Sequence, residues 1–163
     1  MNEGKKCSRC GKSQTEDDSF IVDGNPVCAG CLFNDHEPFH IYPIGFVHND
    51  QERDHSDFGI KNRSGLSRIV LFESQKPFLY KLEDEEYITV VFYLHKSRPV
   101  RSTFKRGLDG KKVGVFASRT PDRLNHLAIT YVRLLKIEGT SLFVEGLDAI
   151  NGTPVVDIKM KWK

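Results

Sequence analysis

The sequence predicts a mainly β protein: a closed or nearly closed β-barrel preceded by a small N-terminal module built on four cysteines. Three observations predict it. From Phe39 onward the chain holds seven strand-like segments and weak helical periodicity throughout. Strands in that number avoid unpaired edges best by closing on themselves. The cysteines all fall within the first 31 residues, as two C-x-x-C pairs. Finally, the polar run from Ser118 to Asn125, with Arg119 and Arg123 among small hydroxyl residues, interrupts apolar alternation and is too long for a tight hairpin turn. By composition it reads as a solvated loop, yet loops held between strands are also where binding groups sit.

In chain order, the segment from Lys5 to about Phe33 holds the cysteines and little that could build a core. Phe20-Ile21-Val22 leads through Asp23-Gly24-Asn25-Pro26 to Val27, a hairpin with Asp-Gly or Gly-Asn in its turn. A polar link over 34–38 follows, so the expected division is a module and linker over 1–38 and a barrel domain over 39–163. Strands are expected near Ile41–Val47, Leu66–Phe72, Tyr87–Leu94, Lys112–Ala117, Leu127–Ile137, Ser141–Glu145 and Val155–Met160. Val90 to Leu94 is apolar throughout, which predicts burial on both faces. Pro77 to Leu82 is read as one short helical turn, and Asn49 to Arg63 as a long polar loop.

Cys7 and Cys10 form one pair, Cys28 and Cys31 the other, with seventeen residues between the pairs. That spacing is typical of structural zinc, and the hairpin delivers the second pair to the first. Four thiolates leave no open coordination position, so such an ion would be structural, not catalytic. Two disulfides, four free thiols and a rubredoxin-like iron site are the alternatives. The N-terminus lacks the apolar core of a secretory signal, which argues against disulfides and makes the cytoplasm the expected location. A segment this small needs a staple to fold. His36 and His40 are read as surface or linker residues, because the four cysteines already complete the shell.

The composition, 39% hydrophobic and 28% charged, is that of a soluble globular chain, and no apolar run reaches membrane-span length. The formal charge of +2 is uninformative, but its distribution is not. Between Lys96 and Lys112 stand seven cations (Lys96, Arg98, Arg101, Lys105, Arg106, Lys111, Lys112) against Asp109 alone, a cluster suited to RNA phosphates or to plain solvation. A Walker loop, a G-x-S-x-G elbow and a G-x-G-x-x-G loop are all lacking, so nucleotide hydrolysis, triad chemistry and a Rossmann cofactor site find no support.

Four motifs follow in order: Pro43-Ile44-Gly45-Phe46-Val47-His48, the His-ended strand Val90–His95, Gly114-Val115-Phe116-Ala117-Ser118-Arg119-Thr120-Pro121-Asp122-Arg123-Leu124-Asn125-His126-Leu127-Ala128-Ile129-Thr130, and Asn151-Gly152-Thr153-Pro154-Val155-Val156-Asp157-Ile158-Lys159. In this order they resemble the TrmO (TsaA-like) family of methyltransferases. The resemblance implies a β-barrel homodimer that uses S-adenosylmethionine to methylate a modified adenosine in tRNA. It implies cofactor contacts at His95, Lys96, Arg119, Ile129, Asn151, Gly152, Thr153 and Pro154. Asn62 and Arg63 correspond to the family's substrate-side loop, and Arg98 and Arg101 join them as substrate-side candidates from the basic cluster. His95 is also a candidate general base, or else a hydrogen-bond partner of the cofactor. Arg119 suits a cofactor carboxylate, or else a surface ion pair with Asp122. Tyr42, Phe58, Phe104 and Trp162 are available for base stacking. Where the family carries P-N-P-I-G, this chain has Leu124-Asn125-His126-Leu127-Ala128, and Asn151 replaces an aspartate. These departures keep two alternatives open: a related methyltransferase for a small molecule or protein, and a non-catalytic module binding S-adenosylmethionine or a partner.

Overall fold

The computed structural model describes residues 5–15, 18–34, 36–50, 65–96 and 99–161. In chain order the elements are β1 (Ser19–Val22), β2 (Asn25–Cys28), α1 (Ala29–Phe33), β3 (Gly45–His48), β4 (Leu66–Leu71), β5 (Tyr87–Tyr93), β6 (Thr103–Lys105), β7 (Lys112–Gly114), β8 (Leu127–Glu138), β9 (Ser141–Glu145) and β10 (Pro154–Met160). Contacts divide the chain into two compact units, residues 1–40 with 97–125 and residues 41–96 with 126–163. The cysteine segment therefore groups with 97–125, a stretch that the sequence predicts as part of the barrel domain.

The second unit is a closed six-stranded antiparallel barrel in the order β10-β3-β4-β9-β8-β5. Alternation fills it. Ile69 and Leu71 of β4, Ile88, Val90 and Phe92 of β5, and Leu142 and Val144 of β9 are buried, while of the residues between them Val70, Val91 and Phe143 are half-buried and only Thr89 is buried as well. Burying one such side chain contributes roughly 1.5–3 kcal/mol. β5 is only partly as expected: Val91 is half-buried and Tyr93 exposed, because one face of a barrel strand points outward. Closure of so small a barrel needs strong coiling. Irregularities in β8 between Leu134 and Lys136, and in β10 between Val155 and Asp157, are placed to supply it. At Gly45 the β3 and β4 backbones approach closely: an added Cβ would lie 2.3 Å from the Val70 carbonyl oxygen.

Three strand expectations shift. The run 112–117 gives only β7, which pairs with β6 in a separate two-stranded sheet and not with the barrel. Val115–Ala117 is a 3-10 turn whose Val115 carbonyl accepts the Ser118 hydroxyl at 2.9 Å. β3 begins at Gly45 instead of Ile41, after Pro43, which has no N–H for a ladder. The helical turn predicted over 77–82 is two 3-10 segments, Glu73–Leu79 and Leu82–Asp84, separated by Lys81 in the left-handed region (φ 63°).

In the first unit, β1 and β2 form the expected hairpin. Asp23 (φ 49°) and Gly24 (φ 80°) are its central residues, the left-handed pair of a type I′ turn. Cys7, Val22, Val27 and Val100 form its buried cluster, with Phe20, Leu32 and Leu124 packed against them.

Candidate functional site

The four thiols gather into one cluster. Cys7 and Cys10 stand on the turn that ends at Gly11 (φ 74°), and Cys28 and Cys31 at the start of α1. All four Sγ atoms lie within 4.8 Å of one another, and Cys10 and Cys28, from different pairs, are 3.7 Å apart. A tetrahedral zinc–thiolate site with arms of about 2.3 Å places its sulfurs about 3.8 Å apart. Backbone N–H groups of Arg9 and Cys28 point at Cys7 Sγ, each at 3.4 Å. Those donors, Cys28 first, pull the Cys7 thiol down to about 6, whereas the neighbouring thiols, Cys28 first, push Cys31 up to about 12. Four acceptors crowded together in this way fit a soft cation that relieves their mutual repulsion. His36 and His40 are exposed and outside the cluster.

A second concentration of candidates lies at one end of the barrel. Tyr93 at the close of β5 pairs with Leu127 at the start of β8, and Val155 near the start of β10 pairs with both Phe92 and Gly45. Antiparallel register therefore brings His95, Lys96, His126 and Asn151–Pro154 to the same rim. His95 is half-buried, its N–H donates to Tyr93 O (2.9 Å), and its Nδ1 is enclosed with no hydrogen-bond partner among the described residues. Burial, and then the Lys96 charge, hold its pKa below the ordinary imidazole value of 6.5.

Asn151-Gly152-Thr153-Pro154 is a turn tied to the end of β3. Asn151 Oδ1 accepts the Asn49 N–H at 3.3 Å, and the Gly152 N–H (φ 76°) donates to Val47 O at 2.8 Å. Thr153 is 2% exposed and its carbonyl accepts the Val47 N–H, so the turn offers a ligand its Asn151–Gly152 backbone more readily than that side chain. Pro154 opens β10 opposite Phe46. Ile129 is placed differently: its side chain is 57% exposed on the outer wall of β8. Asn49 is a rim residue that the sequence did not single out. Its side-chain amide donates to Ser67 Oγ and to Ala149 O, both at 2.9 Å, and no motif or spacing marks it.

The polar loop belongs to the first unit. Arg123 organises it from within, donating from Nε to Thr120 O at 2.9 Å and from Nη2 to Ser118 O. The Thr120 N–H donates to Ser118 Oγ at 3.3 Å. Arg119 is left exposed, with no ion pair among the described residues. The buried Asp122 pairs instead with Arg101 (Nε–Oδ2 3.5 Å), so the Arg119–Asp122 bridge weighed from the sequence does not form and Arg101 is engaged in holding the loop. Lys105, Lys111 and Lys112 are exposed on the β6–β7 hairpin, whose tip is fixed by Arg106 Nε and Asp109 Oδ1 at 3.0 Å and carries an 88% exposed Leu108. Phe104 is half-buried and Tyr42 is 79% exposed. Asn62, Arg63, Arg98, Phe58 and Trp162 lie outside the described residues. Among the described residues, no helix is long and apolar enough to cross a membrane.

Comparison with known proteins fits this layout. Residues 57–162 match the family model of the tRNA-methyltransferase O N-terminal domain. A probable S-adenosyl-L-methionine-binding protein of Methanothermobacter thermautotrophicus is 38% identical over 122 residues, 73% of this chain and 87% of that protein. The tRNA (adenine(37)-N6)-methyltransferase of Homo sapiens is 36% identical over 95 residues, 56% of this chain but only 22% of the human protein. The crystal structure of TrmO from Pseudomonas aeruginosa superposes with a TM-score of 0.61 at 24% identity, covering 77% of this chain and 57% of that one, a likeness of fold. The mammalian relatives thus extend well beyond the stretch they share with this chain.

Proposed function

This chain belongs to the tRNA-methyltransferase O N-terminal domain family, and on that premise we propose that it is an S-adenosylmethionine-dependent methyltransferase acting on a modified adenosine in tRNA. The observation that carries the proposal is the barrel rim to which strand register brings both His95 and Asn151–Pro154, the latter keeping the Gly-Thr-Pro of the family's closing motif with Asn151 in place of its aspartate. The names of the relatives, a tRNA adenine methyltransferase and S-adenosylmethionine-binding proteins, support the same reading.

The unpartnered His95 Nδ1 suits a polar ligand at this rim. S-adenosylmethionine, when bound, supplies an electrophilic methyl group. At the rim His95, Lys96, Asn151 and the backbone of Gly152, Thr153 and Pro154 would hold it, and Arg119, assigned by the resemblance alone, has a guanidinium that would suit its carboxylate. Transfer needs an in-line approach of acceptor nitrogen to methyl, so positioning supplies most of the acceleration. The acceptor also sheds a proton. His95, kept neutral by burial, takes it at Nδ1 or Nε2.

Lys105, Lys111 and Lys112, exposed on the β6–β7 hairpin, suit RNA phosphates, and Asn62, Arg63 and Arg98 are substrate-side candidates by the resemblance alone. The four cysteines hold a structural zinc, the ion whose tetrahedral thiolate geometry their spacing matches. Outward-facing Tyr93, Leu127, Ile129 and Tyr131 make an exposed apolar stripe suited to a homodimer contact. A cytoplasmic location agrees with a tRNA substrate.

Calorimetry with S-adenosylmethionine, followed by labelled methyl transfer to bulk tRNA, tests the proposal: binding and RNA labelling are expected, and absence of binding at high protein concentration would defeat it. One observation favours a second reading. His126 (φ 49°) stands where the family motif has a proline, whose ring forbids that conformation. A loop so altered could leave a binding module without transferase activity, or a different acceptor. Cofactor binding without transfer to tRNA selects this reading.

A further inference from the structure

The cysteine cluster and the polar loop are distant in sequence, yet they share one buried core. Leu124, from the loop, packs against the cluster of Cys7, Val22, Val27 and Val100. Hydrogen bonds reinforce the tie. The Val100 N–H donates to Ile21 O at 3.2 Å, and the Asp23 N–H to Val100 O at 3.0 Å. Asp23 then accepts from Ser102 twice, at Oδ1 from its N–H (2.9 Å) and at Oδ2 from its hydroxyl (2.5 Å). From this anchor two links reach the loop. The Arg101 N–H donates to Asp122 O at 3.4 Å while its guanidinium pairs with the Asp122 carboxylate, and the Val115 N–H donates to Ser102 O at 3.0 Å. Segment 99–105 is thus a strap between the β1–β2 hairpin and the base of the loop.

The hairpin itself has few means of staying folded. Its strands are four residues each, its buried cluster has four members, and one of those, Cys7, is itself part of the thiol cage proposed above to hold an ion. Cores of this size need a cross-link or a bound ion, and where an ion is the staple, its binding free energy is folding free energy.

We propose that ion binding by Cys7, Cys10, Cys28 and Cys31 sets the conformation of the Ser118–Asn125 loop, with Leu124 and the Asp23–Ser102 pair as positioning residues. The ion orders the hairpin, the hairpin holds the strap, and the strap and Leu124 hold the segment that presents Arg119. Linkage makes the effect reciprocal: loosening the loop contacts weakens retention of the ion. The functional meaning, that ion occupancy tunes cofactor binding, rests on the reading of this loop as a cofactor contact.

Hydrogen exchange on the full chain, with and without a zinc chelator, tests the coupling. Chelation is expected to raise exchange tenfold or more over residues 19–28, 99–105 and 118–125, and to leave β5 and β8 protected. Unchanged exchange over 118–125 while 19–28 opens would overturn it. Equal loss across the barrel would overturn it too, since the ion would then act on the whole chain. Leu124→Ala and Asp23→Asn, which leave the thiols intact, are each expected to raise exchange over 118–125 and to speed zinc loss to a chromogenic chelator several-fold. Wild-type behaviour of both variants contradicts the proposal. S-adenosylmethionine titration separates the two ideas: raised exchange with unchanged cofactor affinity retains the coupling and removes the loop from the cofactor site.

Discussion

Gly45, at the start of β3, and His95, at the barrel rim, show how single positions are constrained. A methyl group at Gly45 would meet the Val70 carbonyl at 2.3 Å and Leu71 Cα at 2.7 Å, both backbone atoms. Gly45→Ala is therefore expected to cost roughly 1–3 kcal/mol, read as a lowered denaturant midpoint. His95 titrates below 6.5 because burial and Lys96 disfavour its charged form. If it accepts the proton, the rate of methyl transfer should stay level above pH 6.5 and fall only as pH drops through the lower folded value. His95→Gln should abolish that limb of the pH–rate profile. The sign for stability agrees: below 6.5 the unfolded state takes up the proton first, so the contribution of neutral His95 is full above 6.5 and is lost on acidification. Arg119→Ala, at an exposed side chain, should leave the thermal midpoint unchanged. It should weaken S-adenosylmethionine binding by roughly tenfold to a hundredfold, the worth of a charge-assisted contact. Unchanged affinity by calorimetry would remove it from the site. Motif and spacing single out the cysteines, His95, Arg119 and Asn151–Pro154 as candidates; of these, the structure gathers the four thiols and brings His95 and Asn151–Pro154 to one rim. Asn49 is not singled out, because its role comes from carbonyl and hydroxyl partners at Ala149 and Ser67 that only folding brings near.

At the scale of elements, the β6–β7 hairpin is the clearest case of local sequence misread by pattern. Val113 to Ala117 looks like barrel strand by its apolar run, but β7 finds its partner nine residues back at Thr103–Lys105 across a tip closed by Arg106–Asp109. A nearby partner costs less loop-closure entropy than a distant one. The result presents lysines from both strands. Replacing Lys105, Lys111 and Lys112 together with alanine should lower tRNA affinity and flatten its dependence on salt by up to about three counterions, measured by filter binding across a salt series. An unchanged salt slope would place the RNA elsewhere. β8, by contrast, was legible almost to its ends, since alternation runs from Leu127 past Leu134; its irregularity near Leu135 was not, because it answers to β9.

For the molecule as a whole, the barrel is held by a core to which every strand contributes, and Phe92 sits in it at 1% exposure. Phe92→Ala should cost about 3–5 kcal/mol, seen as a large fall in the unfolding midpoint. The outer stripe of Tyr93, Leu127, Ile129 and Tyr131 carries the opposite expectation. Ile129→Lys should leave the fold intact and shift the species seen by light scattering from dimer to monomer, whereas an unaltered dimer would exclude this face. By itself the sequence determined the β class, the thiol cage and the identity of the motifs, because strand alternation and C-x-x-C spacing are local properties of the chain. Tertiary structure alone decided that six strands and not seven close the barrel, and that residues 97–125 join the cysteines. Those outcomes depend on which edges and apolar side chains meet across long stretches of chain, a competition among packings that no short window of residues contains.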